Sequence, residues 1–280
     1  MIPLHETIAV IAGDGALPLL VAARISERGG RPVVYALRAE TGSFRTIPCA
    51  LKTFPSPDLG WALSDMRTEG VGAIVLAGRV PKELCFVPEK LDPFLRNILK
   101  TTAARDDHSL LGAVLAAIER VGIPVISYRD LIPDMLAGEG RLFGRVPDET
   151  ERADILYGRG ILRVLLPLSF GQTVVVRGGA VVAVEAMEGT DETIRRAGRI
   201  LRENGRGGCV VKMMRPDQDE RYDVPTMGST TLDIMRETGI SCLAVETGRT
   251  IVLGPGKCSR LAEEYGISVT GIASGEASCP

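Results

Sequence analysis

Thr7-Ile-Ala-Val-Ile-Ala12, followed at once by Gly13-Asp-Gly-Ala-Leu-Pro18, decides the fold class. An apolar run without alternation fits a strand buried on both faces. A glycine turn ends it, and Pro18 near the first turn opens a helix to about Glu27. Working outward, the same alternation returns. Arg31 to Leu37 and Gly72 to Ala77 are expected strands, and Trp61 to Glu69 an expected helix. Helices over Pro88 to Leu99 and Ser109 to Gly122 precede a further strand, Ile123 to Ser127. Strands alternating with helices predict a Rossmann-like parallel sheet, covered on both faces, over residues 1–132.

Residues 133–147 turn rich in Gly, Pro and charge, and are expected to form a polar linker. Residues 148–280 are expected to form a second, mixed α/β domain. Asp148 to Ser169 fits a helix, and Thr173 to Arg177 with Ala180 to Glu185 a hairpin turning at Gly178-Gly179. Glu192 to Asn204, Ser229 to Thr238 and Ser259 to Tyr265 are expected helices, and Gly208 to Met213 and Ile267 to Ile272 expected strands. Cys242 to Glu246 and Thr250 to Leu253 are expected to pair as a second hairpin round Thr247-Gly248.

Bulk properties narrow the function. The 280 residues are 45% hydrophobic, enough for one large or two ordinary packed domains. A net charge of −2 lacks the basic footprint of a nucleic-acid binder. Six cysteines without a Cys-x-x-Cys, beside two histidines, argue against a zinc site and for free thiols in a reducing cytoplasm. The chain starts with a strand-like run and not with a secretory pattern, and its apolar runs are too short to span a bilayer. A cytoplasmic protein is expected.

The polar residues concentrate in Arg215-Pro-Asp-Gln-Asp-Glu-Arg-Tyr-Asp-Val-Pro-Thr-Met-Gly228. If Asp217 to Asp223 is extended, Asp217, Asp219, Arg221 and Asp223 share one side. Carboxylates held so close repel one another unless a cation or a positive substrate lies between them. Gln218 belongs to the same run, and Lys212 leads into it at the end of an apolar stretch. Upstream, Glu185-Ala-Met-Glu-Gly-Thr-Asp191 ends a strand and starts a helix. Thr190 or Asp191 suits the helix N-cap, but capping leaves Glu185 and Glu188 unexplained. A charge at the end of an apolar strand is costly unless paired or near water, so a salt bridge and a functional role weigh equally.

Three N-terminal features carry weaker signals. Gly13, Asp14 and Gly15 form a turn through which backbone N–H groups could approach a phosphate. Pro18 replaces the third glycine of a dinucleotide fingerprint, so an ordinary tight turn explains it as well. Arg79 and Lys82 follow a strand, at the sheet edge where ligands sit, and either pair with phosphates or are solvated. Asp106 and Asp107 precede a helix, where one of them can cap it. No Ser/His/Asp triad is evident. Carboxylates without a zinc ligand set favour Mg²⁺ or Mn²⁺ and phosphate-bearing substrates.

Several stretches together resemble the LpxI-type UDP-2,3-diacylglucosamine pyrophosphatases of lipid A biosynthesis. They are Ile11-Ala-Gly-Asp-Gly-Ala-Leu-Pro18, Gly171-Gln-Thr-Val-Val-Val176, Ala183-Val-Glu-Ala-Met-Glu-Gly-Thr-Asp191, Gln218-Asp-Glu-Arg-Tyr-Asp-Val-Pro-Thr-Met-Gly228 and Leu243-Ala-Val-Glu-Thr-Gly-Arg-Thr-Ile-Val-Leu253. The resemblance spans nearly the whole chain in the same order. One departure is Arg105-Asp-Asp, where the family often has Gly-Asp-Asp.

The resemblance implies two domains with a lipid-linked UDP-sugar held between them. It implies Mg²⁺-dependent hydrolysis to UMP and 2,3-diacylglucosamine 1-phosphate. The important aspartate of the Arg-x-Asp-x-Pro-Thr motif falls on Asp223. On this reading Asp223, Glu188 and Asp191 are catalytic, and Asp223, Glu185 and Asp219 hold the metal. Gly13, Asp14, Gly15, Arg79, Asp106, Asp107, Thr190, Lys212, Gln218, Arg221 and Thr226 contact substrate. The acyl chains imply transient contact with the inner leaflet of the membrane. A homo-oligomer stays open. Two other readings stand beside this one: a non-catalytic nucleotide- or lipid-binding regulator, and a phosphohydrolase for a different nucleotide-sugar.

Overall fold

The computed structural model describes residues 6–36, 42–53, 58–79, 91–101, 107–168, 171–202, 205, 207–216, 218–221 and 223–273. Contacts divide the chain into two compact units. One holds Met1–Pro133 together with Asp219–Asp223, the other Asp134–Gln218 with Val224–Pro280.

The first unit is built on four parallel strands. These are β1 (Thr7–Ala12), β2 (Arg31–Ala36), β3 (Ala50–Thr53) and β4 (Ala73–Ala77), in the spatial order β3-β2-β1-β4. Helix α1 (Leu17–Glu27) crosses from β1 to β2 and buries Val21, Ala22 and Ile25. Helix α2 (Leu59–Thr68) starts at Asp58, whose carboxylate accepts from Trp61 N at 2.8 Å, an N-cap that satisfies one orphan donor. Leu59, Ala62, Leu63 and Met66 of α2 pack with Ala9, Val33, Tyr35 and Ile74 of the sheet. Helices α3 (Pro93–Thr101) and α4 (Asp107–Glu119) complete this half, with Leu115 and Ile118 in the same core.

Two expectations for this unit change. Strand β3 has no counterpart in the sequence reading, because it is only four residues long and half-buried at the sheet edge. The strand expected over Ile123 to Ser127 reduces to one parallel bridge, Ile74 to Val125. Pro124 has no N–H to give the ladder, and Ser127 then caps a short 3-10 turn at Tyr128–Asp130.

The second unit carries a six-stranded mixed sheet in the order β5-β12-β10-β8-β6-β7. Its members are β5 (Gly140–Gly144), β6 (Thr173–Arg177), β7 (Ala180–Val184), β8 (Cys209–Lys212), β10 (Cys242–Glu246) and β12 (Ser268–Ile272). Strands β8, β10 and β12 run parallel; β6 is antiparallel to β8, β7 to β6, and β5 to β12. Helix α5 (Glu149–Leu165) covers one face, packing Ile155 and Leu162 with Val174, Val211 and Ala244. Helices α6 (Gly189–Leu201), α7 (Ser229–Thr238) and α8 (Pro255–Tyr265) belong to the opposite core, with Val175, Val210, Leu243 and Val269. The alternation Val174/Val175 and Val210/Val211 between the two cores explains the unbroken apolar runs.

Here too the structure corrects the sequence. The expected linker 133–147 contains β5, which pairs with β12 and packs Leu142 and Phe143 against the core. Its glycines and charges sit at an exposed sheet edge, which is why they looked like a connector. The second hairpin does not form. Thr247 N donates to Ile272 O and Gly248 N to Ala137 O, which carry the chain away from β10. The following strand, β11 (Ile251–Leu253), pairs in parallel with β9 (Thr226–Gly228).

Candidate functional site

In the second unit, charged residues close three apolar strands at one sheet edge. Lys212 ends β8, Glu246 ends β10 and Glu185 follows β7. Strand β7 points the same way as β8, because each is antiparallel to β6. The start of β6 at Thr173 lies at this edge too, opposite Lys212 in the register. This is the carboxyl edge of the parallel strands, where open α/β sheets take their ligands.

Glu185 and Lys212 are each 7% exposed. They are joined through Thr190 in the first turn of α6. Lys212 Nζ donates to Thr190 Oγ1 at 3.2 Å and to Thr226 O at 2.9 Å. Thr190 Oγ1 lies 3.2 Å from both Glu185 carboxylate oxygens, and 3.2 Å from Thr173 Oγ1. A hydroxyl has one hydrogen and two acceptor positions, so it can donate to Glu185 while accepting from Lys212. The backbone holds Glu185 in place: its N–H donates to Thr173 O at 2.9 Å, and its carbonyl accepts from Gly171 N at 3.2 Å. A Cβ on Gly171 would lie 2.5 Å from Glu185 Cγ, so only glycine fits there. Two opposite charges buried beside one hydroxyl make an edge at which an ammonium can meet an anion while a carboxylate balances it.

Thr190 and Asp191 do not cap α6, contrary to expectation. The N-cap is Glu188, which makes no side-chain cap, and the Thr190 hydroxyl turns to Glu185. Asp191 sits in the first turn, where a negative charge suits the helix dipole. Glu188 pairs with Arg196 at 2.5 Å, and its other oxygen accepts from Ala186 N at 3.2 Å. Burial works against the Glu188 charge, but its own backbone N–H and Arg196 outweigh it and hold the carboxyl below its ordinary value. Gln218 is buried, and its side-chain oxygen accepts from Arg215 N at 3.0 Å, closing the turn that starts the acidic run.

The rest of that run, Asp219–Asp223, groups with the first unit. It is a turn and not an extended segment, so alternation does not set its side chains. Asp223 N donates to Asp219 O at 3.3 Å, and Arg221 N to the Asp219 carboxylate at 3.0 Å. An aspartate that bonds the backbone two residues on is a common turn former. The Arg221 guanidinium forks onto the same carboxylate, with Nε at 2.9 Å and Nη2 at 2.6 Å, and reaches Glu119 on α4 at 2.5 Å. Asp219, ahead of Glu119, raises the Arg221 pKa above its ordinary value. Glu220 pairs with Arg129, and its carbonyl accepts from Ser127 Oγ at 2.8 Å. Asp223 is half-buried at the end of this braced turn. Asp217 lies outside the described residues.

In the N-terminal glycine turn, Asp14 and Arg79 exchange backbone hydrogen bonds at 2.8 and 2.9 Å. A Cβ on Gly13 would lie 2.6 Å from Arg79 O. That close approach accounts for Gly13 without a phosphate. Gly15 adopts φ +103° with open space around it. Asp107 is the first residue of α4. Asp106 and Lys82 lie outside the described residues.

Among the described residues, no three of His, Cys, Asp and Glu gather into a group able to hold a metal. Mg²⁺ is usually held by one or two carboxylates, with water and substrate phosphate oxygens completing its shell. Sequence reasoning passed over Thr173 and Glu246. The signal for Glu246 was the same as for Glu185 and Lys212, a charge closing an apolar run.

Two family models match the chain: the LpxI N-terminal domain over residues 7–135 and the LpxI C-terminal domain over residues 138–270. In both its domains, the chain belongs to the LpxI family. A protein of Caulobacter vibrioides named UDP-2,3-diacylglucosamine pyrophosphatase LpxI is 29% identical over 277 residues, covering 95% of this chain and 97% of that one. Among solved structures, CobK precorrin-6A reductase is similar over 98% of this chain and 90% of that one, at 11% identity and a TM-score of 0.32. That likeness is too slight to carry an argument. LpxI membership fits the mixed α/β architecture of two units. Among the described residues no helix is long and apolar enough to cross a membrane.

Proposed function

We propose that this LpxI-family protein hydrolyses the diphosphate of UDP-2,3-diacylglucosamine, releasing UMP and 2,3-diacylglucosamine 1-phosphate. The observation that carries the reading is the pair of LpxI domains in order, joined to a 29% identical relative of that name over 95% of the chain. The buried Lys212–Thr190–Glu185 network supports it with chemistry suited to an anionic group at a sheet's carboxyl edge.

In the reaction, water forms a bond to one phosphorus while the bridging P–O bond breaks. The bond's electron pair leaves on the other phosphate, and the two protons of water are shared between the products and solvent. The diphosphate carries two negative charges, which must be offset before water can attack. Lys212 supplies a fixed positive charge through a short hydrogen-bonded stem. Thr190 and Thr226 lie beside it as polar contacts for the substrate. Asp223 is assigned to the attacking water or to the metal, with Glu185, Asp219, Glu188 and Asp191 as supporting acids. Bound Mg²⁺ would neutralise phosphate charge and polarise phosphorus; Mn²⁺ is the substitute its oxygen ligands would accept. An acylated substrate resides in a bilayer, so the proposal includes a cytoplasmic protein that touches the membrane transiently.

The test is direct. Purified protein is given UDP-2,3-diacylglucosamine, UDP-N-acetylglucosamine and UDP-glucose with Mg²⁺, and products are identified by mass. UMP and the diacylated 1-phosphate from the first substrate alone are expected. Tight binding without UMP release, or equal cleavage of the unacylated sugars, refutes the proposal.

A further inference from the structure

Helix α5 carries apolar side chains on the side turned away from its sheet as well as on the side that packs. Ile155 and Leu162 enter the core between helix and sheet. On the outer side Leu156 is 54% exposed, Tyr157 44% and Val164 69%, and Leu168, in the short 3-10 turn that follows, 64%. Val164 comes two helical turns after Leu156 and Tyr157, so the three share one stripe, which continues to Leu168. Arg152, Arg159 and Arg163 line one flank of it: Leu156 stands four residues after the first and three before the second. Arg152 meets the Pro147 carbonyl and keeps its charge. The acids of α5 lie elsewhere. Glu151 turns to Arg145 and Ser241, Asp154 to Gly178 N and Gly179 N, and Glu149 stands in the first turn, before the stripe begins. From Ile155 to Val184 the sequence holds no Asp or Glu at all.

The stripe also leads toward the site. Asp154 meets the Gly178-Gly179 turn at the far end of β6, whereas a Cβ on Gly158, one turn later, would touch Val211 and Val174. Those two residues adjoin Lys212 and Thr173 in the chain. Helix α5 thus runs toward the carboxyl edge, and Leu168 comes three residues before Gly171, whose N–H donates to Glu185 O.

We infer that the outer face of α5 is a docking surface for an anionic lipid bilayer, with the apolar stripe at the boundary of headgroups and acyl chains and the arginine row among lipid phosphates. The proposed reaction supplies the reason to meet a bilayer, and this face brings the Lys212 edge toward it. Charge and area favour a bilayer over a second copy of the chain. Lipid phosphates answer the arginines along the whole flank. The exposed parts of the four side chains come to roughly 400 Å², about half of the ~800 Å² that each partner of a stable protein complex buries. A bilayer needs no surface of matching shape; shallow insertion of apolar side chains beside basic ones suffices. Arginine stems lie along apolar surface with the charged head at the phosphates. A tyrosine suits the same boundary, its ring inward and its hydroxyl in the wet layer.

The probe is vesicles of phosphatidylglycerol with phosphatidylethanolamine, co-sedimented with the full chain in the absence of substrate. Wild type is expected to bind them, more weakly as NaCl rises, and to bind pure phosphatidylcholine vesicles poorly. L156S/V164S is expected to bind at least ~10-fold more weakly, because two side chains no longer withdraw apolar surface from water. Its melting temperature should not move, since both positions face solvent. R152Q is the second arm, with a loss of ~5-fold on the anionic vesicles for one basic charge. No binding by wild type, or equal affinity in wild type and folded variants, overturns the surface. So does a wild-type dimer in sedimentation velocity that L156S/V164S splits, which would give the face to a second copy. Turnover is read separately. L156S/V164S should raise KM for UDP-2,3-diacylglucosamine embedded in vesicles and leave hydrolysis of detergent-dispersed substrate as in wild type. An unchanged KM on vesicles overturns the docking role. Vesicle binding without any UMP release sinks the proposed reaction alone.

Discussion

Lys212→Met separates a structural lysine from a functional one. Methionine keeps an apolar stem of similar length at the end of β8 but removes the ammonium. Two hydrogen bonds go with it, at 2.9 Å to Thr226 O and 3.2 Å to Thr190 Oγ1. A hydrogen bond to a charged group contributes about 1.5–3 kcal/mol, and the longer of these two belongs at the low end. Glu185, 7% exposed, also loses the charge that balances it through Thr190. The combined cost to stability is about 2–4 kcal/mol. At ~2–4 °C per kcal/mol this lowers the melting temperature by roughly 5–15 °C. If the ammonium meets a phosphate oxygen in the transition state, kcat/KM falls a further ~10–150-fold, from ~1.5–3 kcal/mol at 1.36 kcal/mol per decade. Melting is followed by circular dichroism, and turnover by UMP release at a temperature where the variant is folded. Destabilisation with unchanged kcat/KM would show that Lys212 only braces the fold. An unchanged melting temperature would refute the buried network itself.

Four further outcomes are expected. Asp223→Ala should fold normally and lose most turnover; near-wild-type hydrolysis by the folded variant removes Asp223 from the reaction. Thorough chelation with EDTA should abolish UMP release and added Mg²⁺ restore it, and activity that survives chelation contradicts the metal requirement. Asp154 is buried with its two oxygens accepting from Gly178 N at 2.9 Å and Gly179 N at 2.7 Å. Asp154→Ala should therefore cost about 2–4 kcal/mol in denaturant unfolding, two charge-assisted bonds partly replaced by water, and a loss under ~0.5 kcal/mol would disprove that role. Glu151 accepts from Arg145 at 2.5 and 2.6 Å and from Ser241 Oγ at 2.7 Å. Burial pushes its pKa up, but the bonds from Arg145, Ser241 and Asp148 N outweigh it and leave the carboxyl below its ordinary 4.5. The folded form then binds protons less readily than the unfolded one. Its stabilisation is present above about pH 4.5 and drains away as pH falls through the lowered value. Glu151→Gln should flatten unfolding free energy against pH in that acid range, and an unaltered slope would rule the pair out as its source.

The sequence carried its information best where local rules act alone. Helix α7 and strands β6 and β10 occur where apolar runs and their end signals put them. Lys212 and Glu185 were legible because a charge closing an apolar strand demands a partner, whatever the fold. Asp219 and Arg221 were legible as a cluster but not as a shape. Extended alternation put them side by side for a ligand, whereas a turn folds Arg221 back onto Asp219 and Glu119. A hydrogen bond from a side chain to a near backbone N–H competes with extension, and periodicity does not register it.

What the amino-acid order determined by itself was the buried strands, the helices between them and the sites where charge would be trapped at strand ends, because burial and capping depend on neighbours a few residues away. Tertiary structure alone decided that β11 joins β9, that β5 closes the second sheet, and that residues 219–223 leave the second unit for the first. It also decided that Thr190 ties Lys212 to Glu185 and that Met214 N meets the Glu246 carboxylate. Each of these depends on segments tens of residues apart meeting in space, and which of them meet is set by the packing of whole faces, a quantity no local pattern contains.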